Sequence, residues 1–372
     1  MISRILSLSV RWRWAVVALT LLVVAIGGWQ ITKLPIDAVP DVTNRQVQIN
    51  TFNPTLGPVD MEKQVTFQIE TALAGVPGLT MTRSLTRNGF SQVTAVFTDD
   101  TDIFFARQQV TERLAQAKDS LPAGVQPNLA PLSTGLGEIF FYSVAFRHPD
   151  GKGVKIVDGK PGWQSDGAYL TPEGERLTTD LAKAAYLRTV QDWVIRPQMR
   201  TVEGVAGVDS NGGYVKQYLV QPNLNALATY GLSVTELADA LERANLSAGS
   251  NYVRRAGESF LVRADARLKS IAEIEEAVVA TRGGAPVRVK DVGEVVIGGA
   301  VRTGSGSRMG SEAVISTVLM LIGSNSRIVA NSAADKLTEI NKNLPPDVFA
   351  EPVYNRSKLV NATIATVEKN LV

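Results

Sequence analysis

The sequence predicts an α+β chain: one apolar N-terminal helix followed by two similar α/β units, the second carrying an insertion. Three observations carry this. No charged residue occurs from Trp14 to Thr32. The order strand-helix-strand-strand-helix can be read from Gln46 to Ala117. A similar order returns, interrupted, between Ile139 and Tyr354.

The uncharged run is roughly 19 residues, which at 1.5 Å per residue spans roughly 28 Å, close to the hydrocarbon core of a bilayer. Arg4, Arg11 and Arg13 precede it and place the N-terminus in the cytoplasm, and Trp12, Trp14 and Trp29 sit where interfacial aromatics belong. A cleaved signal peptide is the alternative. It would have a shorter apolar stretch and a small-x-small site, whereas here the run ends in Gly27-Gly28-Trp29-Gln30-Ile31 before Lys33 and Pro35.

Val47, Ile49 and Thr51 alternate with polar neighbours, as in a half-buried strand. Val65, Ile69, Ala72 and Leu73 share a helix face that stops at Gly75 and Pro77-Gly78. Strands around Leu79–Leu85 and Ser91–Thr98 meet at an Asn88-Gly89 turn, and Ile103, Ala106, Val110, Leu114 and Ala117 stripe a second helix. This order is that of a ferredoxin-like unit.

In the second unit, strand Ile139–Phe146 is followed by Gly151–Thr179, whose Gly, Pro and Asp predict an exposed hairpin or loop. Helix Leu181–Val202 contains Pro197, which should kink or shorten it. It closes on Gly204-Val205-Ala206-Gly207-Val208, much as the first unit has Gly75-Val76-Pro77-Gly78-Leu79. Strands near Val208, at Val215–Val220, at Ala313–Leu321 and at Val348–Tyr354, with helix Asn325–Leu344, complete it, and an internal duplication is the simplest reading. Within the insertion, Ser233 and Glu236 form a capping box, Asn245–Gly257 reads as a protruding loop, and Thr303–Gly310 reads as a connection between domains.

Composition excludes several classes. With 38 Lys and Arg against 36 Asp and Glu, nothing points to nucleic acid. The absence of cysteine removes disulfides, thiolate metal sites and thiol nucleophiles. Gly283-Gly284 and Gly298-Gly299 lack the Lys-Ser/Thr of a phosphate loop. No hydrolase elbow, zinc-protease helix or kinase signature occurs, so no enzyme is expected.

An ordered series of short runs carries a family resemblance. It begins with Leu34-Pro35-Ile36-Asp37-Ala38-Val39-Pro40-Asp41-Val42 and continues through Gly75-Val76-Pro77-Gly78, Asp102-Ile103 with Ala106-Arg107, and Leu121-Pro122-Ala123-Gly124-Val125. It ends with Ser133–Ile139, Met320–Arg327 and Tyr354–Val360. The chain resembles the N-terminal portion of resistance-nodulation-division pumps, heavy-metal (CzcA/CusA-like) branch.

The resemblance implies a partition: cytoplasmic N-terminus and first transmembrane helix over 1–37, a porter subdomain over 38–133, a second over 134–213 and 300–355, an inserted docking subdomain over 214–299, and over 356–372 a helix leading to a second span. It implies a location in the cell inner membrane with residues 38–355 in the periplasm. It also implies a homotrimer that works with its own C-terminal half, a periplasmic adaptor (membrane fusion) protein, an outer-membrane channel and the lipid bilayer. The expected function is proton-driven export of heavy-metal cations, with no resident cofactor. The proton-coupling acids belong to later membrane helices, and the first span contains no Asp, Glu or Lys. A drug-exporting member of the family, and a single-pass periplasmic binding or adaptor protein, are the alternatives.

Glu138 is the candidate metal contact: the resemblance places an acidic residue of this Gly-Glu-Ile context in the porter cleft. A lone carboxylate needs further ligands, and its bland alternative is a solvent-facing or ion-paired glutamate. Met81 and Met320 read as packing residues, which disfavours a thioether site for Cu(I) or Ag(I) and favours Zn, Co, Ni or Cd. His148, the sole histidine, reads as an exposed turn residue. Asp99, Asp100 and Asp102 read as a helix start, where the backbone dipole stabilises carboxylates.

Overall fold

The computed structural model describes residues 10–31, 43–245, 247–255, 258–265, 267–302 and 304–371. Helix α1 (Arg13–Ile31) follows the uncharged run and exposes its apolar side chains. Among the described residues it is the one helix long and apolar enough to cross a membrane. Arg4 and the Leu34–Val42 run lie outside the described residues.

Strand β1 (Gln46–Phe52) buries Val47, Ile49 and Thr51 and leaves the residues between them partly exposed. The helix that follows has three parts: α2 (Pro58–Met61), a π-helical turn (Glu62–Thr66) and α3 (Phe67–Leu73). Its fully buried stripe is Met61, Val65, Ile69 and Leu73. A strict spacing of four residues drifts by about 40° per step in an ideal α-helix. The wider π turn under-winds the backbone and keeps the stripe on one face. After β2 (Leu79–Arg87), the Asn88-Gly89 turn, with Gly89 at φ 67°, reverses the chain into β3 (Phe90–Phe97). In α4 (Ile103–Ala117) all five expected residues are buried, and Asp102 caps the helix by accepting the Phe105 N–H at 2.8 Å. Strand β4 (Pro127–Leu129) completes an antiparallel sheet of order β2-β3-β1-β4.

The second unit starts with β5 (Glu138–Phe146). The next stretch, 151–179, takes the hairpin form of the expectation, but it is not exposed throughout. It forms three two-residue strands, β6 (Gly162–Trp163), β7 (Tyr169–Leu170) and β8 (Arg176–Leu177). Trp163, Tyr169 and Leu177 enter the same core as Phe140, Tyr142 and Val144. Its turn-rich composition hid three buried apolar anchors, because polar turns and core residues alternate too quickly for a periodic signal.

The expected 181–202 helix is α5 (Asp180–Val190), a π turn (Gln191–Ile195) and α6 (Arg196–Met199), ending three residues early. Pro197 sits in the first turn of α6 just after the π turn, where its missing N–H is tolerated. The π turn carries polar side chains into the core. Gln191 Nε2 donates to Tyr142 Oη and Ser210 Oγ, both at 3.0 Å, and Asp192 pairs with Arg188 at 2.7 Å and Arg196 at 2.8 Å.

Strand β9 (Val205–Asn211) leads into the insertion, which opens and closes on the paired strands β10 (Lys216–Pro222) and β15 (Gly293–Gly299). Between them lie α7 (Leu224–Tyr230), α8 (Val234–Ala244), the hairpin β11 (Ser247–Arg255) and β12 (Glu258–Asp265), α9 (Ile271–Glu275), the hairpin β13 (Val278–Arg282) and β14 (Ala285–Arg288), and α10 (Val289–Val292). Within the expected 245–257 loop, Ser247–Arg255 is thus one arm of a hairpin; residues 246, 256 and 257 lie outside the described residues. Its Gly and Ser residues masked the strand, whose register shifts between Gly249 and Tyr252. The Ser233–Glu236 capping box is present, and Leu227, Leu237, Ile274 and Val289 form a separate core.

The segment after the insertion is also more ordered than a plain connector. β16 (Ser307–Arg308) and β17 (Ser311–Glu312) pair across Met309-Gly310, both at positive φ; Thr303 lies outside the described residues. Then follow β18 (Val314–Met320), α11 (Ser326–Asn341), β19 (Val348–Asn355) and α12 (Arg356–Leu371). The second sheet runs β19-β5-β18-β9, all antiparallel. Taken in chain order, its strands occupy the same positions as β1 to β4 in the first sheet.

Candidate functional site

Residues 130–137 join the two sheets and are held from both sides. Ala130 N–H extends the first sheet by donating to Gln48 O at 2.9 Å, and Arg107 Nη1 donates to Ala130 O at 2.6 Å. Ile322 N–H donates to Leu132 O at 3.2 Å, and both side chains pack against the first core. On the other side, Met320 N–H donates to Gly137 O at 2.7 Å, and Arg356 Nη1 to Leu136 O at 2.5 Å. Gly137 has no room for a side chain, since a Cβ there would collide with Ser133 Oγ.

Glu138 is the first residue of β5 and leaves this junction exposed. It lies beyond the end of β19, whose last paired residue, Asn355, faces Phe140. On its other flank it faces Leu319, where the β18 register shifts between Val318 and Leu319. Such a bulge redirects side chains at the end of a sheet. Glu138 has neither an ion-pair nor a hydrogen-bond partner among the described residues. Its carboxylate therefore stays available to a cation. No group of three or more His, Cys, Asp or Glu able to hold a metal ion occurs among the described residues, so further ligands would have to come from elsewhere.

The other candidates fall out differently. Asp102 caps α4, while Asp99 and Asp100 are exposed just before it. Met320 packs in the second core as expected, with Met199, and Met61 packs in the first. Met81 does not pack: it is 49% exposed on β2. That strand is the sheet's edge, with β3 on one side and no further strand among the described residues on the other.

His148 also departs from expectation. It is partly buried, and its Nδ1 lies 2.7 Å from Asp347 Oδ1. Asp347 Oδ2 accepts the His148 backbone N–H at 3.1 Å and the Trp163 Nε1–H at 2.7 Å, while Asp347 O accepts the Arg147 N–H at 2.7 Å. No local pattern marks this pairing, because Asp347 lies 199 residues from His148 in the chain.

An apolar N-terminal helix and two α/β sheets of identical strand order, with an inserted third unit, define the class: a mixed α/β protein with a helix long and apolar enough to cross a membrane. The chain belongs to the AcrB/AcrD/AcrF family, which matches residues 5–372. It is 60% identical over its whole length to the nickel-cobalt-cadmium resistance protein NccA of Alcaligenes xylosoxydans xylosoxydans. It is 57% identical, again over its whole length, to the nickel and cobalt resistance protein CnrA of Cupriavidus metallidurans. It spans about 35% of the length of each of these relatives. The crystal structure of a heavy metal efflux pump superposes on 96% of the chain with a TM-score of 0.77 at 28% identity, and the chain covers 33% of that structure.

Proposed function

We propose that this chain is the N-terminal portion of a proton-driven inner-membrane transporter that exports divalent heavy-metal cations, nickel and cobalt foremost, with cadmium and zinc as further cargo. The observation that carries this is full-length similarity to two proteins named for nickel and cobalt resistance, together with the free carboxylate of Glu138 at the junction of the two sheets. Carboxylate oxygen suits such divalent ions better than it suits Cu(I) or Ag(I), which favour thioethers.

In this reading α1 anchors the chain, and residues 38–355 lie in the periplasm. The two sheets are ferredoxin-like porter subdomains, and the insertion over 214–299 is half of a docking domain. Glu138 contributes one ligand along the cation's path, and the rest come from parts of the protein beyond this chain. The complete protein works as a homotrimer with a periplasmic adaptor and an outer-membrane channel.

The test is complementation. The complete reading frame should raise nickel and cobalt tolerance in a metal-sensitive host, while residues 1–372 alone should not. Raised tolerance to organic drugs with no change for metals would favour a drug exporter.

A further inference from the structure

A cavity of about 280 Å³ lies where the β6–β8 segment, α5 and the strands of the insertion meet. Its walls are mainly apolar, formed by Leu177, Tyr186, Val190 and Trp193. Trp193 is 79% exposed, an unusual position for so large an apolar ring. The Tyr186 hydroxyl is buried and has no hydrogen-bond partner among the described residues, a costly arrangement unless something occupies the site.

The polar lining is acidic in sum. Lys216 Nζ holds both oxygens of Glu175, at 2.8 and 2.7 Å, and so neutralises it. Glu173 also lines the cavity and has no ion-pair partner among the described residues. Burial, then the charges of Glu173 and Glu175, push the Tyr186 hydroxyl well above the usual tyrosine range. It therefore stays a neutral hydroxyl, whose oxygen can accept from an N–H donor.

We propose that this cavity binds a small aryl-alkyl ammonium ion. The ring stacks against Trp193 and Tyr186, and the ammonium group pairs with Glu173. A concave, mostly apolar pocket with a few convergent polar groups is the usual form of a small-molecule site. An aromatic wall and an unpaired carboxylate together select for an apolar cation over a neutral molecule or a bare metal ion. The site shares no residue with Glu138 and does not depend on the transport reading.

The test titrates the full chain in detergent with phenethylammonium, and in parallel with 2-phenylethanol as its neutral analogue, by calorimetry. The ammonium should bind about tenfold more tightly than the alcohol or better, a gap of about 1.4 kcal/mol. Glu173→Gln should abolish that preference and leave alcohol binding as it was, and Trp193→Ala should weaken both. Circular dichroism would check that each variant keeps its fold. No saturable binding of either compound, equal binding of both, or a preference that survives Glu173→Gln would overturn the proposal.

Discussion

The carboxylate of Asp347 holds His148 at two points, the ring Nδ1 at 2.7 Å and the backbone N–H at 3.1 Å, across almost the whole second unit in sequence. The same carboxylate accepts the Trp163 indole N–H, so one side chain ties the end of β5, the β6–β8 segment and the turn before β19 together. Asp347 adopts φ 64°, a left-handed conformation that Asp and Asn tolerate better than most residues.

Replacing Asp347 by Ala should therefore be costly. It strands the buried indole N–H, at about 1–3 kcal/mol, and adds about 1 kcal/mol of backbone strain. Asp347→Asn, which keeps an acceptor and tolerates the backbone, should lose clearly less. Urea unfolding of the two variants checks the order.

Glu138→Gln should leave stability within about 0.5 kcal/mol of the parent, because the side chain is exposed and unpartnered. In the complete transporter the same change should lower nickel and cobalt tolerance without lowering protein level. Unchanged tolerance with a normal level of protein would remove Glu138 from the cation path.

Tyr142, on β5 of the second sheet, is fully buried, and burial pushes its hydroxyl up to about 12. An unfolded tyrosine ionises near about 10. Below that pH both states are neutral and this group's contribution is fully present. As pH rises from about 10 through about 12, the unfolded chain releases a proton that the fold retains, and stability falls by about 2 kcal/mol. Denaturant midpoints across this window should drop more steeply for the parent than for Tyr142→Phe, and tyrosinate absorbance should rise late.

Gly75 and Gly204 follow equivalent helices in the two units, at φ 79° and 81°. A Cβ on Gly75 meets nothing within 4 Å, whereas on Gly204 it would lie 2.6 Å from Val329 Cγ2. Gly75→Ala should cost about 1–2 kcal/mol for the left-handed backbone, and Gly204→Ala about 1–3 kcal/mol beyond that for the clash. Equal losses in parallel denaturant titrations would contradict the packing argument.

Taken by itself, the sequence determined what local pattern can encode. The uncharged run gave α1, alternation gave β1, the stripe from Ile103 to Ala117 gave α4, and Asp102 and Ser233 marked their helix starts, because each signal lies within a few residues of what it specifies. The recurrence of one element order also suggested the duplication. Tertiary structure alone decided the rest. The matching strand order of the two sheets, the burial of Trp163 and Tyr169 from a turn-rich stretch, the bulge beside Glu138 and the pairing of His148 with Asp347 all join residues far apart in the chain. Met81 shows the same limit in reverse: its strand was legible, but its place at an open sheet edge was not, since burial depends on which neighbours the fold supplies.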